Sequence, residues 1–240
     1  MSASEWIAWE IYSLFAGLLG ILPLSVHTIP VQLMLVAQMF PMAVSGALTV
    51  RVGAILTAYE NAAHVAKRVV YTCLIASLVL FGALSLSFYM FRYAIYSLFT
   101  SEDNVIEGCD EIWKLVCLFF YVACFFLIST GVATALGMQC LQGALTVVSL
   151  WVVGIPAAYY FSIVKQGGLI MLWTWLLPPY IVITMVLIFT FLWKDWGAVV
   201  EYIRLREAAT REGMNGELDS LLLSCTDGDV HYDSTAQSAR

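Results

Sequence analysis

Six long apolar runs dominate this chain and constrain what it can fold into. They cover residues 6–24, 29–50, 69–99, 112–136, 143–164 and 168–193. Each is long enough to cross a hydrocarbon core of about 30 Å at a rise of about 1.5 Å per residue. A membrane β-barrel needs alternating segments of roughly ten residues, whereas these runs are apolar on every face. Composition agrees: 61% of the residues are hydrophobic and 12% are charged, against about 45–50% and about 25% in a soluble globular domain. Six such helices in water would leave too little polar surface to cover them. The sequence therefore predicts an all-α integral membrane protein, with a six-helix transmembrane bundle over residues 1–196. Residues 197–240 are rich in Ser, Thr, Asp and Gly and predict an acidic, largely disordered cytoplasmic tail. A short helix over 199–212 would open that tail.

Charge placement predicts the topology. The net charge is −6, but the acids cluster between Glu102 and Glu111 and after Lys194, so a basic surface for nucleic acid is not expected. With six spans, the N-terminus, the polar stretch 51–68 and the tail share one side. That side holds Arg51, Lys67, Arg68, Lys194, Arg204, Arg206 and Arg211. The other side holds Lys165, with Arg92 and Lys114 at helix margins beside an acidic loop over 100–111. The positive-inside bias places both termini in the cytoplasm; the plasma membrane and a vacuolar or other organelle membrane stay open. The start, MSASEW, lacks a basic n-region, so the first run reads as a retained span rather than a cleaved signal. Trp6, Trp9, Trp113, Trp173, Trp193 and Trp196 fall near expected helix ends, where interfacial anchoring is common. Trp151 and Trp175 lie deeper.

Few residues offer chemistry. The six cysteines include no pair at CxxC spacing, and neither a zinc site nor a disulfide framework is expected. No nucleotide-binding loop and no metal cluster is visible, so no cofactor is expected. Intramembrane proteolysis is not expected either: there is no His-Glu-x-x-His and no pair of spanning aspartates, His27 falls in a loop and His64 in a polar stretch. Glu10 is the one acid inside a run, and Glu5 stands just before it. Insertion of an ionisable residue at a helix centre costs about 2.5–3.5 kcal/mol. Two readings of Glu10 stand open: a carboxylate reaching the headgroups from one turn below Trp6, or one facing an internal cavity. In a cavity, burial raises a carboxylate's pKa and a cation lowers it, which allows exchange of a proton for a positive substrate. Trp9, Gln32 and Gln38 are candidate cavity residues. The two glutamines point some 120° apart at about 100° per residue, so they need not share a surface. Pro30, Pro41 and the Pro178-Pro179 pair interrupt backbone hydrogen bonding within the second and sixth runs, which a neighbouring helix or cavity water can offset.

Several stretches resemble the multidrug and toxic compound extrusion (MATE) transporters. Glu5-Trp6-Ile7-Ala8-Trp9-Glu10 resembles the E-W-W-A-Y-E of the seventh helix of animal members. Val50-Arg51-Val52-Gly53 resembles the start of the family signature S-V-R-V-G-N-x-L-G-A-G. Phe99-Thr100 with Val105-Ile106 resembles F-T-x-D-x-x-V-I, Val153-Gly154-Ile155-Pro156 resembles V-G-L-P, and Gly168-Leu169 with Leu172-Trp173 resembles G-L-x-G-L-W. The likeness runs from Glu5 to about Trp193 and corresponds to the C-terminal six-helix lobe of a two-lobed transporter. It implies a secondary active transporter, or half of one, in which Glu5 and Glu10 couple protons to export of organic cations or xenobiotics. The chain departs from the family at Gln32, where some animal members carry a glutamate, near Ala123, where the tenth-helix acid would fall, and at Ala54, Thr57, Tyr59 and Met171. These departures frame the alternatives: a fragment or half needing a second lobe, a homodimer that supplies one, or a transport-inactive membrane interaction or regulatory protein.

Overall fold

In a computed structural model, residues 3–58, 62–194, 196–201 and 205 are described, and among them every regular element is helical. The rods are α1 (Ala3–Leu18), α2 (Ile21–Ala37) running into α3 (Met39–Ala58), α4 (Ala62–Met90) with the short α5 (Arg92–Phe99), α6 (Asp103–Ala135), a fifth rod opened by α7 (Gln139–Thr146), and α9 (Gly168–Trp193). The fifth rod contains α8 (Ile155–Tyr159) between two π-helical stretches, Val147–Gly154 and Tyr160–Val164. Pro156 sits in the first turn of α8; it has no N–H and its ring crowds the carbonyl four residues back, which accounts for a departure from α geometry just before it. Five of the rods are long and apolar enough to cross a bilayer; α1, with 16 residues, is shorter. The chain is thus an all-α, multi-pass membrane fold.

α6 is the axis of the lobe. Val105, Cys109, Ile112, Trp113, Val116, Phe119, Phe120, Ala123, Phe126 and Leu127 are buried along it. Its neighbours reach its backbone with side-chain donors. Ser45 Oγ of α3 donates to Leu127 O at 2.7 Å, Thr49 Oγ1 to Gly131 O at 2.9 Å, and Ser85 Oγ of α4 to Cys117 O at 2.8 Å. In return, Trp113 Nε1 of α6 donates to Phe88 O of α4 at 3.1 Å. Lipid tails are as apolar as the helices, so association rests on close packing and such polar contacts rather than on escape from water. Gly131 makes the α3–α6 contact possible: a Cβ there would stand 2.6 Å from Ser45 O.

The helices differ from the expected runs at four places. The first hairpin turns at Leu19–Gly20 rather than after Leu24, with Gly20 at φ 124° in the region that favours glycine. α2 therefore begins at Ile21, and His27 lies inside a helix instead of a loop. The polar stretch 51–68 is largely helical, since α3 continues to Ala58 and α4 starts at Ala62. The third rod breaks at Phe91. The acidic stretch 100–111 is a loop only to Glu102; from Asp103 onward it is the start of α6. There Val105, Cys109, Ile112 and Trp113 face inward while Asp103, Glu107 and Glu111 are exposed, a helical period that charge density conceals. Asp103 in the first turn also suits the positive end of the helix dipole.

Trp113 and Trp173 are corrections too. Both are almost wholly buried within the lobe and are packing residues, not interfacial anchors, whereas Trp6 and Trp193 are exposed. Trp175 stacks on Phe161 at 4.6 Å. Cys109, Cys117 and Cys124 are buried free thiols. The expected tail, apart from its first few residues, lies outside the described residues, as does most of the expected helix over 199–212.

Candidate functional site

α1 separates its two carboxylates. Glu5 and Glu10 are five residues apart, which turns them about 140° from one another around the helix. Glu5 shares the inward stripe with Ala8, Tyr12 and Ala16; all are at most 1% exposed. It lies close enough to Tyr180 of α9 for the two to interact electrostatically. Glu10 is exposed and joins Trp6, Trp9 and Ser13 in lining a cleft against Val31, Met34, Leu35 and Gln38 of the next rod. The cleft holds about 60 Å³, room for a few water molecules. Gln38, buried at the junction of α2 and α3, is part of its lining. Pro41 explains that junction, because its missing N–H leaves the Ala37 carbonyl without its helical donor.

Of the five sequence-predicted site residues, the structure brings Glu10, Trp9 and Gln38 into this cleft. Glu5 lies behind it, in the packed interior. Gln32 is exposed and does not line the cleft, as its angular offset from Gln38 allows.

Behind the cleft is an aromatic layer that sequence reasoning missed. Trp9 meets Phe119 edge-on at 5.4 Å and Trp173 at 6.4 Å, and Phe119 and Phe126 both pack on Tyr180 at 5.1 and 5.0 Å. His27 sits 5.5 Å from the Trp173 ring, with Nε2 3.4 Å from Ser13 Oγ. Its Nδ1, Tyr12 Oη and Trp173 Nε1 are buried without a hydrogen-bond partner. Such groups are costly in a dry interior unless water or a ligand reaches them. Tyr12 is legible once α1 is drawn as a helix, being seven residues from Glu5. His27 could have been found from Gly20 and Pro23, a turn-and-helix-start signal. Gly154 brings the fifth rod against this layer: a Cβ there would stand 2.7 Å from Pro179 Cγ and 3.2 Å from Tyr12 Oη. Ala123, buried in α6, contributes no second acid.

Fold and cleft together define a polytopic helical membrane protein with one carboxylate in an interhelical groove and another in the packed layer behind it. Residues 1–160 match the MatE family model, and the chain belongs to that family. It is 26% identical over 208 residues to "Uncharacterized transporter C323.07c" of Schizosaccharomyces pombe, covering 86% of this chain and 38% of the relative. It is 27% identical over 205 residues to "Multidrug and toxin extrusion protein 2" of Oryctolagus cuniculus, covering 84% and 33% respectively. The chain thus spans little more than a third of the length of these relatives. Among solved structures, the "Crystal structure of eukaryotic MATE transporter AtDTX14" superposes with a TM-score of 0.68 at 20% identity, over 83% of this chain and 45% of that one. That likeness establishes the fold.

Proposed function

We propose that this chain is one lobe of a MATE-type secondary transporter that exports organic cations in exchange for protons, with both termini in the cytoplasm. The observation that carries the reading is Glu10. An exposed acid on the otherwise apolar α1 stands at the mouth of a cleft lined by Trp6, Trp9 and Gln38, where a cation can reach it and the indole faces can hold that cation. Glu10 binds either a proton or the cation, and the two compete for one carboxylate. Glu5 lies in the packed layer behind, near Tyr180. The exposed mouth needs a second wall, supplied by a partner lobe or a second copy of this chain in parallel orientation.

The test is proton-driven efflux of a fluorescent organic cation from proteoliposomes holding the purified chain. Wild type is expected to transport, and Glu10→Gln to lose at least tenfold in rate while remaining monodisperse. Full efflux by Glu10→Gln would remove the residue from the mechanism. A second reading, a transport-inactive membrane interaction protein, is favoured by the apolar Ala123 in α6. A wild-type chain that crosslinks to another membrane protein in native membranes, yet moves no cation in proteoliposomes, would establish it.

A further inference from the structure

A second basin lies far along the chain from Glu10, where α4 begins and α9 ends. It has a volume of about 620 Å³ and is lined by His64, Lys67, Arg68, Tyr71, Lys194 and Trp196, among others. This is within the range of small-ligand sites. Its charge distribution is odd for a structure built for stability alone. His64, Lys67 and Arg68 are spaced i, i+3 and i+4, so they are neighbours on one face of the first turns of α4. Like charges at that spacing repel, and the start of a helix already carries the positive end of its dipole. Lys194, just past the end of α9, adds a third full positive charge. Among the described residues the ion pair is Arg92 with Asp110, past the far end of α4, so no described carboxylate, Glu201 included, forms an ion pair with the cations of the basin. Glu60 and Asp195, which flank it in sequence, lie outside the described residues. Lys67 Nζ rests 5.9 Å from the Tyr71 ring, a contact that orients the ammonium without cancelling its charge. Trp196 is anchored by donation from Nε1 to Phe191 O at 3.0 Å. Tyr71 and Trp196 give the basin aromatic walls of the kind found at the membrane–water boundary.

We propose that this basin binds the phosphate-bearing headgroup of an anionic phospholipid from the leaflet it faces. In the orientation proposed above that is the cytoplasmic leaflet, which carries the anionic lipids. Arg68 offers a planar fork for phosphate oxygens, and Lys67 and Lys194 act as point charges beside it. The acyl chains lie along the exposed aliphatic side of α4, where Ile75, Val79 and Leu80 face outward. The site does not depend on transport; it ties the start of α4 to the end of α9 across the lobe.

The experiment is binding of a fluorescent dioctanoyl phosphatidylinositol phosphate to the full chain in neutral detergent, with unlabelled competitors. Dioctanoyl phosphatidylserine is expected to displace the probe, and dioctanoyl phosphatidylcholine to displace it poorly. The double substitution Lys67→Ala, Arg68→Ala is expected to weaken binding about 30-fold, and Arg92→Gln at the other end of α4 to leave it unchanged. Should the double variant not purify folded, wild type alone decides the matter, because probe affinity must fall as salt is raised through the range where screening becomes complete. Equal displacement by phosphatidylcholine, salt-insensitive binding, or undiminished binding by a folded double variant would overturn the proposal. Displacement by inorganic phosphate as effective as that by phosphatidylserine would assign the basin to a free anion and reject the lipid.

Discussion

α4 and α6 pack against each other, have 29 and 33 residues, and hold apolar stretches of closely similar hydropathy. Yet 17% of that stretch is buried within the lobe in α4 and 67% in α6. Hydropathy measures what a helix gains by leaving water. It does not say whether a lipid tail or another helix takes the water's place, since both are equally apolar. The difference lies in what each side chain can do at close range. The outward face of α4 is aliphatic, with Ile75, Leu78, Val79 and Leu80 exposed. α6 carries small residues, thiols and aromatic rings, which admit neighbouring backbones and interlock with them.

Paired substitutions in the two helices test this contrast. The largest effect is expected from Phe120→Ala, which empties a fully buried position of α6 and should cost about 3–5 kcal/mol; Leu80→Ala, half exposed on α4, should change stability by less than about 0.5 kcal/mol. Thermal denaturation in detergent followed by size-exclusion chromatography reads both, and equal losses would mean that α4 is covered by protein after all. Next is glycine replacement. Gly131→Ala drives a Cβ into Ser45 and should cost about 1–3 kcal/mol, whereas Gly82→Ala on α4 meets Tyr121 Cε2 at an ordinary 3.5 Å and should be neutral or better, given alanine's helix propensity. Ser45→Ala removes one interhelical hydrogen bond to α6 and is expected to cost about 0.6 kcal/mol. The smallest effect falls at the rim. Arg92 Nε donates to Asp110 Oδ1 at 2.7 Å, and this pair, open to solvent screening, should contribute least of all. Arg92→Gln should therefore lower the denaturation midpoint least, and raising the salt should narrow the gap between it and wild type.

The cleft divides in the same way between what is legible in residues and what is not. Glu10 stood out because an acid in an apolar run is expensive, and Trp9 and Gln38 because aromatic and amide groups are what such a cleft requires. Glu5 carried the same motif, yet its partner side of α1 could not be read from the motif alone. His27 was hidden by a hairpin turn placed after Leu24 instead of at Leu19–Gly20, so a helical residue passed for a loop residue. Trp173 pointed to the membrane interface, and Tyr180 had no local signal. Tyrosine and tryptophan at membrane depth read as lipid-facing or buried alike, and only the packing of α1 against α6 and α9 set them around one another.

Length, apolarity and scarcity of charge were enough to make this chain a set of membrane-spanning helices, because backbone polar groups in lipid must be satisfied within each segment and only a helix does that locally. The ordered motifs were enough for the family, since they constrain local backbone and side-chain chemistry. Which helix forms the centre, which carboxylate meets the cleft and which the interior, and which cations converge at the start of α4 were decided by tertiary packing. Those outcomes depend on the rotation of each helix about its own axis, and in a bilayer that rotation is settled by close contacts between distant segments rather than by any property of a single run.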